Sequence, residues 1–523
     1  MPDRAPAAVA VVDAATAAAC DAAAIGAGIP SRALMQRAGA AAAALIAEQF
    51  ATRVMDGVLV ATGPGNNGGD GWVIAHALHA TGVPVLVVEC VAARTPDACA
   101  ERDMALAAGV QLTDDAAAII AGSQRIVVDA ILGTGFTATA PLRPPVAASV
   151  ARMAERRQLG ASVVAIDVPS GMDASSGLHM RACPADLTIT FGTIKRGHLV
   201  ARELCGRIVV VDIGIGAMRI APGSARLANA GWFRASLPPI TAGVHKGTRG
   251  KVAIVGGGPG MGGAAVLAAR GALRSGAGMV KCIVAPDSLP TVREAEPAAL
   301  SAAWPVDDKS ARPLLAWADV VLVGPGLGGD ARDLVGRVMR AWDGPVVLDA
   351  DALNAFAADL DALRELVGSR AALLTPHEVE CARLAGIDVE AVKAHRFTLP
   401  SELAARTGAA VLLKGVPTVI AAVAGPVTCV AEGTPILATG GSGDVLGGIA
   451  ATLLAQTGDA ALSGALAAFA HGRAARQVAQ RQVRGHTLDD VIGALASVWS
   501  DIQPEPPRPP VLADLAAVGE GAR

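Results

Sequence analysis

Short apolar runs rich in Val and Ile recur along this chain, and Ala-rich stretches of helical length separate them. In the first half the runs fall at 58–61, 83–88, 126–129, 163–167, 187–191 and 208–212. Most are continuous rather than alternating, the pattern of strands buried on both faces. Strands that alternate with helices predict a mainly parallel α/β sheet. Ahead of the first run, residues 1–50 predict one or two Ala-rich helices broken at Gly26-Ala27-Gly28-Ile29-Pro30. A second series follows at 251–255, 279–284, 320–323, 346–349, 373–374, 411–413 and 419–423, with Ala-rich helices from about 444 to 500.

Between the two series the pattern weakens over 217–247, where Pro222, Gly223, Pro238, Pro239 and Gly243 accumulate. The expected organisation is an α/β domain over 1–228, a second α/β domain over 229–503 and a Pro-rich tail over 504–523. The halves share a class but no motif, so they read as two unrelated domains rather than a repeat.

Composition narrows the function. The chain has 523 residues, 52% of them hydrophobic, only 2% aromatic and none Tyr, so its cores must be packed from Val, Ile, Leu and Ala. A net charge of -3, no basic stripe and few aromatics argue against nucleic acid as a partner. Eight scattered Cys with no CxxC fit reduced thiols of a cytoplasmic protein. Acids at Asp13 and Asp21 make the N-terminus a poor signal peptide, and no 18-residue apolar run is free of breakers, so no membrane is expected.

Chemistry concentrates in glycine stretches at strand ends. Thr439-Gly440-Gly441-Ser442-Gly443-Asp444 runs into an apolar, small-residue helix. Such a helix start offers free amides and a positive dipole end to a phosphate. An acid there repels the phosphate unless it serves the reaction, and Asp444 is placed to take a hydroxyl proton during phosphoryl transfer. A plain first-turn acid would not require so many glycines.

In the first half, Asn66-Asn67-Gly68-Gly69-Asp70-Gly71 follows the strand at 58–61, with a helix expected from Trp72. That context reads as a phosphate or nucleotide loop. Asp129 and Asp167 stand at further strand ends, the second just before Pro169-Ser170-Gly171. Parallel strands carry Asn67, Asp129, Asp167 and Ser170 to one sheet edge, where amide, carboxylate and hydroxyl oxygens are hard ligands for a cation. In the second half, Gly256-Gly257-Gly258-Pro259-Gly260 and Gly324-Pro325-Gly326-Leu327-Gly328 end two strands, and Lys414-Gly415-Val416-Pro417-Thr418 ends another. Thr375-Pro376-His377-Glu378 predicts a helix capped by Thr375 and Glu378. The cap does not explain His377, which could reach a ligand from the strand's end, although an isolated His is more often structural.

Over roughly 10–225 the ordered motifs NNGGDG, DAILGTG, DVPSGMDA and the segment at 190–199 resemble the NAD(P)H-hydrate epimerases. The resemblance implies a Rossmann-like fold and a hydrated dinucleotide bound by Asn66, Asn67, Gly68, Gly69 and Asp70. It adds Gly133, Thr134, Gly135, Phe136, Thr137, Ala138 and Thr139 to that site. It also implies potassium on Asn67, Asp129 and Ser170, and Asp167 as catalytic acid. Over about 240–500, GPGLG, TPHEVE, KGVPTVI and GGSGD resemble the ADP/ATP-dependent NAD(P)H-hydrate dehydratases, which are ribokinase-like. Here the resemblance places the hydrate at Ala264, Gly326, His377 and Asp444, with Asp444 catalytic. It places the adenine nucleotide at Lys414, Gly415, Val416, Pro417, Thr418 and Gly443, with Mg2+ accompanying it.

Joined, the two resemblances imply repair of hydrated nicotinamide cofactors: R and S hydrates interconvert, and the S form loses water at the expense of ADP or ATP. The expected partners are these small molecules, NADHX, NADPHX and ADP or ATP, in a homo-oligomer. The alternative is a ribokinase-like kinase of a small alcohol, which explains 440–444 but leaves the first half idle.

Overall fold

The computed structural model describes residues 9–215, 224–240, 242–329, 331–500 and 511–516. The chain divides into two compact units, one of residues 7–221 with 505–523 and one of 222–504 with 1–6. The Pro-rich stretch 504–510 lies outside the described residues.

The first unit is built on an eight-stranded sheet. From one edge its order is Val511–Leu515, Arg207–Val211, Leu187–Phe191, Ser162–Ile166, Ile126–Ala130, Val58–Thr62, Val85–Glu89 and Gln111–Thr113. Only Val511–Leu515 is antiparallel to its neighbour. The chain runs outward from Val58–Thr62 to Gln111–Thr113, then returns to place Ile126–Ala130 on the other side. That reversal opens a crevice at the carboxyl ends of Val58–Thr62 and Ile126–Ala130, where such sheets bind ligands. The apolar runs are continuous because both faces are covered. Val58 and Val60 pack with Trp72 and Ile74 on one side, while Leu59 and Ala61 pack with Val146, Val150 and Met153 on the other. Val9–Val12 and Ile194–Lys195 pair in parallel.

The helix expected from Trp72 begins earlier, at Asn66, and ends at Ala80. The asparagines and glycines are thus its first turns rather than the loop before it. Gly63, Pro64 and Gly65 make the turn, and the missing side chains let the helix close in. A Cβ on Gly68 would lie 2.0 Å from the carbonyl oxygen of Gly63, and one on Gly71 would lie 2.7 Å from Cβ of Ala130.

In the second unit the strand order is Leu300–Ala303, Met279–Val284, Lys251–Val255, Val320–Val323, Val346–Leu348, Ala372–Leu374, Ala410–Leu413, Thr418–Ala421, Thr428–Val430 and Ala225–Leu227. Here the order reverses between Lys251–Val255 and Val320–Val323, where the two glycine loops meet. The amide of Gly257 donates to the carbonyl of Pro325 at 2.8 Å, and that of Gly258 to Gly326 at 2.6 Å. Val252 and Ile254 face the helices Gly262–Arg274, Ser442–Thr457 and Ala460–Ala479. Ala253 and Val255 face Ala331–Ala341 and Leu399–Thr407. Small residues let two of the helices touch backbone to backbone. A Cβ on Gly448 would lie 2.0 Å from the carbonyl oxygen of Ala268, and one on Gly271 would lie 2.4 Å from that of Val445. All eight cysteines are free thiols. Among the described residues no helix is long and apolar enough to cross a membrane.

Candidate active sites

In the first unit the crevice gathers the residues singled out in the sequence. Asp129 ends its strand wholly buried. One of its oxygens accepts from the Ser170 amide at 2.8 Å, and the other from the Ser170 hydroxyl at 2.5 Å and the Ile131 amide at 3.3 Å. The Ser170 hydroxyl also accepts from the Leu132 amide at 2.9 Å. Burial pushes the Asp129 carboxyl up, although these bonds pull against it. Asn67 is buried beside them, and neither its amide oxygen nor its nitrogen has a protein partner.

Gly133 stands between the asparagine and the second acid. A Cβ built on it would lie 3.2 Å from Cβ of Asn67 and 3.4 Å from Oδ2 of Asp167. Beyond it the loop 134–139 is half-buried to exposed. There the Thr137 and Thr139 hydroxyls bond each other at 3.2 Å, and the Ala138 amide donates to Asp173 at 3.4 Å. Asn66 is exposed at the rim.

Asp167 adopts a left-handed backbone, φ 64°, which Asp tolerates better than most residues. Its carboxylate does not cap the following turn. Oδ1 instead accepts from the Lys195 ammonium at 2.6 Å and the Thr190 hydroxyl at 3.0 Å. Burial pushes this carboxyl up, but the Lys195 charge and these bonds outweigh it and leave it below the usual carboxylate range. Asp70 behaves oppositely: burial, with the charges of Asp167 and Asp21, pushes it well above.

The second site is set by the helix Ser442–Thr457, whose N-cap Gly441 is left-handed at φ 89°. Asp444 sits in its first turn, and Thr439 and Gly440 ahead of it are exposed. Beneath lies the Lys414 ammonium, 2.9 Å from Asp349 and 3.5 Å from Glu380. A Cβ on Gly443 would be 3.4 Å from that ammonium. Burial pushes Lys414 down, but Asp349 and Glu380 outweigh it and its affinity for the proton rises. The Asp444 carboxyl is pushed up to about 7, by burial first and then by the charge of Asp349 against that of Lys414.

The cap expected from Thr375 and Glu378 forms elsewhere. His377 is the N-cap of Glu378–Ala385, with Nδ1 accepting from the amides of Val379 at 3.1 Å and Glu380 at 3.2 Å. In return, the His377 amide donates to the Glu380 carboxylate at 2.8 Å. The capping box is therefore two residues later than the spacing suggested, because Thr375 and Pro376, just past the strand Ala372–Leu374, are still tied to the neighbouring strands. The Thr375 amide donates to the Leu348 carbonyl at 3.1 Å and the Lys414 amide to the Pro376 carbonyl at 2.9 Å. Glu378 instead pairs with the buried Arg396, which also donates to the Pro417 carbonyl at 3.0 Å. His377 stays in the site through Glu380, the carboxylate that it shares with Lys414.

Ala264 and Gly326 also meet: a Cβ on Gly326 would lie 2.9 Å from that of Ala264. Along 415–418, Val416 is exposed, and the Thr418 hydroxyl donates to the Gly415 carbonyl at 3.1 Å. Sequence reasoning passed over Asp349, Glu380, Thr190 and Lys195. Asp349 carried the same signal as Asp129 and Asp167, an acid at the end of an apolar run. Among the described residues no three His, Cys, Asp or Glu side chains form a cage for a metal ion.

Residues 252–496 match the family described as NAD(P)H-hydrate dehydratase, and residues 31–197 the family described as YjeF-related protein N-terminus. The bifunctional NAD(P)H-hydrate repair enzyme of Thermanaerovibrio acidaminovorans is 37% identical over 484 residues, covering 88% of this chain and 92% of that one. Its counterpart from Moorella thermoacetica is 36% identical over 507 residues, covering 91% and 94%. Among solved structures, the ADP/ATP-dependent NAD(P)H-hydrate dehydratase of Bacillus subtilis, co-crystallized with ATP and Mg2+, is 27% identical. It covers 55% of this chain and 100% of its own at a TM-score of 0.47. With relatives of this identity aligned along nearly their whole length, the chain belongs to the bifunctional NAD(P)H-hydrate repair enzymes.

Proposed function

We propose that the first unit interconverts the R and S hydrates of NADH and NADPH, and that the second dehydrates the S hydrate at the expense of ADP or ATP. The observation that carries this reading is a pair of acids with opposite tuning in one chain. Asp167 is held ionised at a glycine-cleared crevice, and Asp444 is poised near neutrality at the start of a phosphate-type helix.

In the second unit, Asp444 takes the proton of the C6 hydroxyl as that oxygen attacks the terminal phosphorus of the nucleotide, and the bond from that phosphorus to its bridging oxygen breaks to release AMP from ADP or ADP from ATP. The first-turn amides around Gly441 and Gly443 hold the transferred group. The C6–O bond then breaks, phosphate leaves with the bonding pair, and the ring nitrogen lone pair fills the gap. Loss of a C5 proton to the departing phosphate restores the dihydronicotinamide. Lys414 through Thr418 and Gly443 bind the nucleotide, and Ala264, Gly326 and His377 bind the hydrate.

In the first unit, the C6–O bond breaks with its electron pair going to oxygen, which takes a proton from solvent and leaves as water, while the ring nitrogen lone pair forms an iminium. Water then adds to either face and gives up a proton. The Asp167 carboxylate is suited to stabilise that cation and to take the proton of the returning water. The hydrate lies against residues 66–70 and 133–139.

Potassium fits the first unit because the buried amide oxygen of Asn67 lacks a partner. Asn67, Asp129 and Ser170 would hold it, and it would supply a fixed positive charge beside the ligand. Magnesium fits the second unit as a companion of the nucleotide phosphates. Asp349 and Glu380 are engaged by Lys414, and Mg2+ is commonly held by one or two carboxylates plus substrate phosphates. Small molecules are the partners. A homo-oligomer in the cytoplasm, without nucleic acid or membrane, completes the reading, and the eight free thiols are consistent with a reducing compartment.

The test is to incubate the pure protein with mixed hydrates, with and without ADP, and follow recovery of reduced-nicotinamide absorbance. Recovery of both isomers only with nucleotide supports the reading. Turnover of a small alcohol with no action on the hydrates would replace it.

A further inference from the structure

The segment at 190–199 carries much of the likeness to the epimerases, yet its lysine has no part in the reading above. We propose that Lys195 is the positioning residue of epimerisation: its ammonium, steadied by Thr190, holds one oxygen of Asp167 and turns the other toward the hydrate. The inference rests on Asp167 being the epimerase acid.

Lys195 is 3% exposed, and its ammonium lies 2.6 Å from Oδ1 of Asp167 and 2.8 Å from the Thr190 hydroxyl. A charged pair at this distance gives a short, strong bond with a defined direction. Oδ2 has no protein hydrogen-bond partner among the described residues, and it points at the space that Gly133 leaves empty beside Asn67. Asp129 is the contrast in the same crevice, where both oxygens are taken by Ser170 and the Ile131 amide. A carboxylate serving only the fold would be satisfied in that manner.

The backbone of Asp167 is held as well. Its amide donates to the Ile189 carbonyl at 2.7 Å, and its carbonyl accepts from Nε2 of His198 at 2.7 Å. Nδ1 of His198 accepts from the Lys195 amide at 3.2 Å, so the ring is neutral with its proton on Nε2. Burial, with the Lys195 charge, pushes that imidazole down to about 3. Lys195 therefore fixes the acid twice, through its side chain directly and through His198.

Asp21 of the helix Ala14–Gly26 and Asp70 of Asn66–Ala80 also face Asp167, whose charge raises the proton affinity of both. Lys195 is the cation set against them. A buried ion pair is a poor source of stability by itself and is often replaceable by apolar groups, so its presence beside an open oxygen favours a role in the reaction.

Lys195→Met removes the charge with little change in length. We expect the epimerisation kcat to fall by about 10²-fold while KM for the R hydrate stays within about threefold, the signature of a lost transition-state contribution. Lys195→Arg should recover at least about tenfold of that loss. An unchanged KM also certifies that the first unit is folded, and Lys195→Gln replaces the Met variant if that one does not fold. An unaltered kcat, a loss confined to KM, or an Arg variant no faster than the uncharged one overturns the proposal. Asp167→Asn, assayed beside them, separates the two claims. If it epimerises at the parental rate, the reading of Asp167 falls. If it is inactive while Lys195→Met is not, only the inference about Lys195 falls.

Discussion

The acid limb of dehydration should lie near neutrality, because Asp444 must be ionised to accept the hydroxyl proton and its carboxyl is pushed to about 7. Below that pH, kcat/KM for the S hydrate should drop about tenfold per pH unit, and above it should level off. The shift from 3.8 is worth about 4 kcal/mol in favour of the protonated acid. Burial is its largest part and the Asp349 charge the next. Asp349→Asn removes that charge and also leaves more of the Lys414 charge uncompensated, and both changes favour the Asp444 anion. The limb should therefore move down by about one pH unit. Stability gives a second handle. A carboxyl whose affinity for protons is higher folded than unfolded loses stability as pH rises from about 4 to about 7. Asp444→Asn should accordingly cut dehydration by about 10²–10⁴-fold. It should also stabilise the folded chain at neutral pH, by about 2 kcal/mol once partial exposure is allowed for. The assays are initial rates with subsaturating hydrate across pH 5.5–8.5, about the expected limb, and thermal melts of the folded variant. A flat profile between pH 6 and 8, or a limb that Asp349→Asn drives upward, would refute this account of the site.

Asp167→Ala should stop epimerisation and spare dehydration, so mixed hydrates with ample ADP lose the S fraction and then stall; parental clearance of both isomers by the folded variant counts against it. Replacing potassium by tetramethylammonium should slow epimerisation at least about tenfold and leave dehydration of pure S hydrate unchanged; equal slowing of both would place the ion elsewhere. Gly448→Ala brings a methyl to 2.0 Å from the Ala268 carbonyl oxygen. It should lower stability by about 1–3 kcal/mol and reduce dehydration by shifting the helix that carries Asp444; a melt and rate matching the parent would show that the helices part without consequence.

Much of both sites was legible because a parallel sheet delivers strand-end residues to one edge. Asp129 and Asp167 end apolar runs, and Asn67 opens the helix after another. Their meeting follows from topology once the runs are recognised. Lys195 was not legible in this way, since its bond to Asp167 joins residues 28 apart along the chain. No local spacing marks which polar groups will face each other across strands. The His377 cap was obscured for a different reason. Thr375 with Glu378 and His377 with Glu380 are both cap spacings, and the choice depends on where the preceding strand stops. The start of the first glycine helix was hidden too, because glycines read as loop while here they serve close approach.

The strand Val511–Leu515, which closes the edge beside Arg207–Val211, has a consequence for how the chain is made. Arg207 pairs with Asp514, and Arg202 donates to the Ala516 carbonyl, so the last described residues help to tie that edge. On a ribosome adding ~5–20 residues each second, the sheet of the first unit emerges, but its edge partner follows ~300 residues behind. For roughly 15–60 s the nascent sheet presents an unpaired strand, Ile208, Val209, Val210 and Val211, of the kind that recruits other chains. Arg207 at its start is the charge that guards it in the interval. Separate expression of the first unit would make that interval permanent.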